Sequence, residues 1–212
     1  MRFVIILICT FYCTSAWGSK IDSLLSVLEI IEISNKEDLY KIHSQLGKEF
    51  GSRSIEKYDM SGHHHALALK IAKEQNNDVR ISKCQFGIGL SHQRRNNFQK
   101  ALEHYYKIIE LDDSNENLNK AETYAQIATI YQALGDFQKA FESQMKALFL
   151  YEVKNDQLGI AQSNYNVGTI FYYQKQFERS LDYYQKAKEI VDDLKNEKFN
   201  YSCVQYFYNV FK

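Results

Sequence analysis

The chain has 212 residues, 45% of them hydrophobic, 14% aromatic and 25% charged, with 9 Gly and no Pro. Average usage would supply roughly ten prolines, so their absence argues against proline-rich linkers, collagen-like segments and sandwiches of short strands joined by tight turns. Lys plus Arg number 26, as do Asp plus Glu; no overall field favours nucleic acid or an anionic membrane surface, and the chain is too apolar to be disordered.

Residues 1–18 read as an export signal rather than as part of a fold. Arg2 supplies a short positive region, and residues 3–13 form an apolar run of 11 residues. Thr14, Ser15 and Ala16 then offer small residues for cleavage, with Ala16, Trp17 and Gly18 as a second choice. The run is shorter than the roughly 20 residues a spanning helix needs, which disfavours an uncleaved anchor. No other stretch could span a bilayer. Tyr12 stands before Cys13 where a lipidation signal would place a small residue, so lipidation is not expected. Cleavage leaves Cys84 and Cys203, too few and too far apart for a disulfide framework, and a formal charge of −1. The expected location is periplasmic or extracellular.

After the signal, residues 19–36 read as an amphipathic capping helix with Asp22 or Ser23 as its cap. A degenerate helix–turn–helix unit follows at 37–78. There, Tyr58, Ser61 and Ala68 mark the second helix, which ends near Glu74, and Leu46, Gly47 and Phe50 mark the first. Three further units align without gaps over 82–109, 121–148 and 161–188, their starts 39 and 40 residues apart. Within each, positions 4, 7, 8 and 11 share one helical face. These are Gln85, Ile88, Gly89 and His92, then Tyr124, Ile127, Ala128 and Tyr131, then Asn164, Val167, Gly168 and Phe171. Position 8 is always Gly or Ala, as a close helix contact requires. Position 17 is always Phe (Phe98, Phe137, Phe177), and position 20 is small (Ala101, Ala140, Ser180). Asn96 with Asn97, and Gly135 with Asp136, suit a turn that ends one helix and caps the next. Residues 75–78, 112–115 and 154–156 read as polar loops between units.

These residues closely resemble the tetratricopeptide repeat family. Its pattern is visible in the middle unit as Tyr124, Ala128, Tyr131, Phe137, Ala140 and Ala147. The family's usual Pro after the second helix is replaced by Asp113, Glu152 and Asp192, and the period is nearer 40 than 34, which lengthens the second helices. The resemblance implies an all-α fold, a right-handed superhelical solenoid of helix–turn–helix repeats. Its expected organisation is a signal (1–18), a capping helix (19–36), a degenerate unit (37–78), three units (79–118, 119–158, 159–198) and an incomplete next unit (199–212). That last segment carries Tyr201, Phe207 and Phe211 where a terminal repeat is normally polar. It suggests a longer array, or self-association through the C-terminal helix.

Candidate catalytic and metal groups are weak. His63, His64 and His65 are consecutive, so on a helix they point in different directions and cannot chelate jointly. They read as a polar stretch of a second helix, with His43, His92 and His104 scattered over others. Residues 112–116 lack the Gly and Glu of a calcium loop, since Asn117 and Thr123 stand at those places. Gly87 and Gly89 follow no strand and form no phosphate cradle, and Arg94 and Arg95 are an isolated basic pair. No cofactor, metal ligand set or catalytic arrangement is expected.

The resemblance implies a concave groove lined by the first helices. Its low-specificity candidates are Gln93 and Arg94, then Gln126, Thr129 and Gln132, then Gln162, Tyr165, Asn166, Thr169 and Tyr172. Lys83, Phe86, Gly87 and Leu90 share the same positions. Amides and tyrosines suit a peptide backbone. The Lys and Asn set by which chaperone-binding relatives hold a C-terminal carboxylate is not reproduced. An export signal followed by such repeats also resembles the sensory front of bacterial signalling proteins. The expected function is therefore a non-catalytic scaffold outside the cytoplasm that binds a protein or peptide. Its competitors are a structural homo-oligomer and a metal-dependent hydrolase.

Overall fold

The computed structural model describes residues 19–30, 35–51, 57–111 and 119–194. The signal segment, Cys203, residues 112–118 and the C-terminal segment from 199 lie outside them. Among the described residues the chain forms helices and no strand. These are α1 (Ser19–Ile30), α2 (Lys36–Gly51), α3 (Tyr58–Glu74), α4 (Asp78–Arg94), α5 (Phe98–Ile109), α6 (Lys120–Ala133), α7 (Phe137–Val153), α8 (Gln157–Tyr173) and α9 (Phe177–Asp193). They divide into two compact units, Met1–Leu118 and Asn119–Lys212. In the first unit α1 packs on α2, and α2 to α5 pack each on the next; in the second, α6 to α9 do likewise. This is an all-α helical-repeat fold.

α1 begins at Ser19, earlier than its expected cap. Asp22 lies in its first turn, and Ser23 donates back to the Lys20 carbonyl instead of capping. Its apolar side, Ile21 with Leu24, Leu25, Val27 and Leu28, covers Ile42, Leu46 and Phe50 of α2.

The tight turns share one backbone solution. Asn76, Asn96, Gly135, Asn155 and Lys175 each adopt the left-handed conformation, with φ of 48°, 59°, 78°, 51° and 61°. The next residue's N–H then closes on the carbonyl five residues back: Asn77 on Ala72, Asn97 on His92, Asp136 on Tyr131, Asp156 on Tyr151 and Gln176 on Phe171. Asn77, Asp136 and Asp156 also cap the following helix with their side chains. The stretches 75–78 and 154–156, expected as loops, are therefore turns as tight as those inside a unit. Asn and Gly tolerate the left-handed region; Lys175 occupies it against preference.

Helix pairing rests on position 8. A Cβ added at Gly89 would lie 2.5 Å from the Tyr105 ring, and one at Gly168 would lie 2.6 Å from the Tyr184 ring and 3.1 Å from the Ser180 carbonyl oxygen. A Cβ at Gly47 would come within 2.7 Å of the His65 ring. In these three pairs a flat ring from the second helix lies on the bare backbone of the first. The exception is α6 with α7, where Ala128 takes the glycine's place and the ring is replaced by the slimmer, buried Gln144. Where position 20 is serine, it closes the contact: Ser61 donates to the Gly47 carbonyl and Ser180 to the Gly168 carbonyl, both at 2.8 Å. Around these contacts Ala68, Ala101, Ala140 and Ala147 are fully buried.

Gly168→Leu should destabilise the second unit by about 1–3 kcal/mol, because overpacking must displace Tyr184. A thermal denaturation midpoint equal to that of the native chain would contradict this contact. Lys175→Gly should act oppositely, stabilising by about 0.5–1 kcal/mol as the left-handed strain outweighs the added freedom of glycine in the unfolded chain. Urea denaturation of both variants measures it.

Candidate functional site

In the first unit, α2, α3 and α4 enclose a cavity of about 280 Å³. α2 contributes Gly47, Lys48 and Gly51, α3 contributes Tyr58, Ser61 and His65, and α4 contributes Lys83, Phe86, Gly87, Leu90, Ser91 and Arg94. A Cβ at Gly87 would lie 2.4 Å from His65, so the same ring fills the gap left by both Gly47 and Gly87. Ser91 donates to the Tyr58 carbonyl, and Arg94 donates to the Gly51 carbonyl with its guanidinium 5.3 Å from the centre of the Tyr58 ring. Lys48, Lys83 and Arg94 are exposed at the rim, and among the described residues no carboxylate lines the cavity.

Lys83, Phe86, Gly87, Leu90 and Arg94 of α4 hold expected groove positions, whereas the candidate Gln93 does not line the cavity and Ser91, which does, was not expected. The residues from α2 and α3 were missed, although a signal existed. With Gly47 at position 8, Lys48 and Gly51 fall at the groove positions 9 and 12.

The histidines are organised rather than scattered, which corrects the sequence expectation. His63 is exposed, whereas His64 and His65 are buried, so the three do point apart. His64 Nδ1 lies 3.0 Å from His43 Nδ1, with Phe50 stacked on its ring at 5.5 Å. One imidazole must donate and the other accept, which is possible only while at least one is neutral. In α5, His104 Nδ1 donates to Gln85 Oε1 at 2.6 Å, and its ring stacks on His92 at 5.6 Å. Burial pushes His64, His65 and His104 down to about 4. The neighbouring charges add to this: His43 for His64, Lys48 for His65 and Lys107 for His104. Burial also lowers His43 and His92. Among the described residues, no three His, Cys, Asp or Glu side chains converge as a metal site. Cys84 is a fully buried thiol whose burial pushes it up to about 11, a poor nucleophile.

The remaining candidates divide by what they already do. Gln93, in the first unit, accepts a bond from Tyr105 at 2.7 Å. In the second unit Asn166 accepts from Gln162 at 3.1 Å and donates to Gln144 at 3.4 Å. Thr169 donates to the Tyr165 carbonyl and accepts from Tyr184 at 3.2 Å, and the Tyr165 and Tyr184 rings are 5.6 Å apart. These side chains hold second helices in place. Gln126 and Gln132 are half-buried. Thr129, Gln162 and Tyr172 are exposed, and Tyr172 stands beside exposed Tyr173 and Phe177. Among the described residues, no helix is long and apolar enough to cross a membrane.

Comparison with known proteins follows the same lines. Residues 119–193 match the family model of the tetratricopeptide repeat. By sequence, no curated protein matches the chain. Several solved structures share the fold. The apo form of RapI is 18% identical with a TM-score of 0.79, over 95% of this chain and 74% of that one. The apo quorum sensor NprR from B. thuringiensis is 19% identical with a TM-score of 0.74, over 90% and 52%. A Rap protein complexed with Competence and Sporulation Factor is 19% identical with a TM-score of 0.67, over 84% and 50%. The chain thus spans about half the length of the last two.

The histidine pattern makes acid stability uneven. All 6 histidines lie between positions 43 and 104, in the first unit. The folded values of His43, His64, His65, His92 and His104 sit below the ordinary 6.5, so protons bind the unfolded chain first. Stability from the neutral rings is complete above about pH 6.5 and is lost as pH falls towards about 4. Amide exchange, corrected for its intrinsic pH dependence, should therefore show residues 57–111 losing protection across that window before residues 119–194 do. Equal loss in both units would refute it.

Proposed function

We propose that this tetratricopeptide-repeat protein is a non-catalytic scaffold that binds an extended peptide or a protein segment. We place it outside the cytoplasm, as the interaction part of a signalling system. The observation that carries the reading is the cavity of the first unit. It is bounded by α2, α3 and α4, has Phe86 and Leu90 on its wall, and carries cations at its rim. A concave apolar surface with a few polar groups is the usual form of a binding site. In the second unit the exposed Thr129, Gln162 and Tyr172 add polar and aromatic contact surface of the kind that peptide backbones accept. Further support comes from fold neighbours named as a quorum sensor and as a complex with Competence and Sporulation Factor. Export rests on the N-terminal segment, with its single Arg2 and its apolar run at 3–13.

Two measurements test the proposal. An unbiased positional-scanning peptide library, read by fluorescence anisotropy, should yield binders of micromolar affinity. For those binders that engage the second unit, Gln162→Ala with Tyr172→Ala should weaken binding roughly ten-fold, the loss of about one good polar or aromatic contact. Melting temperature should not change. A library without binders would overturn the scaffold reading. Residues 1–18 fused to a reporter active only outside the cytoplasm should give activity, and deletion of residues 3–13 should abolish it. A silent fusion would overturn the export reading alone.

A further inference from the structure

We infer that the cavity between α2, α3 and α4 is a subsite for an acidic side chain neighbouring an apolar one on an extended peptide of a partner protein. This rests on the peptide-binding reading above and narrows it to one chemistry. The first support is charge. Lys48 comes from α2 and Lys83 and Arg94 from α4, and among the described residues no acid lines the cavity beside them. Several other cations of this unit already have a counter-ion. Lys20 pairs with Glu49, Lys36 with Glu74, Arg80 with Glu37 and Arg95 with Asp59. Among the described residues Lys48 and Lys83 make no ion pair. Three cations at one rim, with no acid among the described lining residues, hold a potential that one carboxylate neutralises, and charge-assisted bonds to it are the strong kind.

The second support is His65. Its side chain is 6% exposed and lines the cavity, yet Nδ1 is buried without a hydrogen-bond partner. Nδ1 is shut off from the cavity as well as from solvent, so His65 serves as part of the wall, where its ring reports on what enters beside it.

Size and apolarity decide what carries the acid. About 280 Å³ is below the range of cofactor and drug-sized sites and suits one or two side chains. A small free dianion would satisfy the lysines and leave Phe86 and Leu90 wet. A Glu or Asp with a Leu or Phe beside it covers both. The Arg94 guanidinium is already fixed on the Gly51 carbonyl and over Tyr58, so it meets the carboxylate pre-oriented.

The test compares two blocked heptapeptide libraries against the full chain, Ac-X-X-Leu-Glu-Leu-X-X-NH2 and its Gln counterpart. The blocked ends remove any contribution from a terminal carboxylate. The Glu library should bind roughly ten-fold more tightly and shift the His65 imidazole resonances. In Lys48→Gln/Lys83→Gln the ratio should collapse to about one with the melting temperature unchanged, since both residues are exposed. Equal affinity of the two libraries for the native chain, or a ratio that survives the double substitution, overturns the subsite and leaves the peptide reading standing. If the unbiased library binds and neither of these does, the subsite alone falls; if nothing binds, both fall. Glutarate that shifts His65 as strongly as the Glu library would make the site one for a free anion and overturn the peptide occupant.

Discussion

The described helices depend on one contact, a broad second-helix side chain laid on a first-helix residue that lacks a Cβ. It occurs at Gly47 with His65, Gly89 with Tyr105 and Gly168 with Tyr184. The contact brings two backbones within reach, and the serines at position 20 convert that closeness into hydrogen bonds at Gly47 and Gly168. The one Ala at this position faces a slimmer partner, Gln144, so size is conserved across the pair rather than at either residue. Interiors filled to crystal density behave this way: a methyl gained on one helix must be lost on the other.

His65 extends the contact into function. Tyr105 and Tyr184 end in hydroxyls that bond to Gln93 and Thr169. An imidazole is shorter and makes no such bond among the described residues. It also lies against Gly87 of the next first helix and lines the cavity. The ring that pairs α2 with α3 is therefore also part of the cavity wall.

Much of the fold was legible in the sequence because the repeat displays it several times. Gly89, Ala128 and Gly168 mark the close contact by composition alone, and Asn96 and Gly135 mark the left-handed turns. Partnership across helices was not legible. Nothing in the run from His63 to His65 says that the second residue meets His43 and the third fills two glycine gaps, since both facts depend on the angle between helices. The start of α1 was misplaced because Asp22 and Ser23 suit a cap as well as a first turn. The groove candidates were read by position alone, which cannot tell an outward amide from one already bonded to its neighbouring helix. Asn166 and Thr169 are of the second kind, Gln162 and Tyr172 more of the first.

The uniform turns carry an engineering consequence. At each, a short turn with one left-handed residue separates two helices and is closed by the same backbone hydrogen bond, as at Asn96 and Asn155. A nicking enzyme needs several residues of unbonded, extended chain, and these corners offer none without unwinding a helix end. An epitope tag spliced into one of them would also sever the bond that sets the angle of the next helix. Handles for labelling or immobilisation belong instead on exposed helix faces such as Lys100 or Gln138, where the backbone is already satisfied.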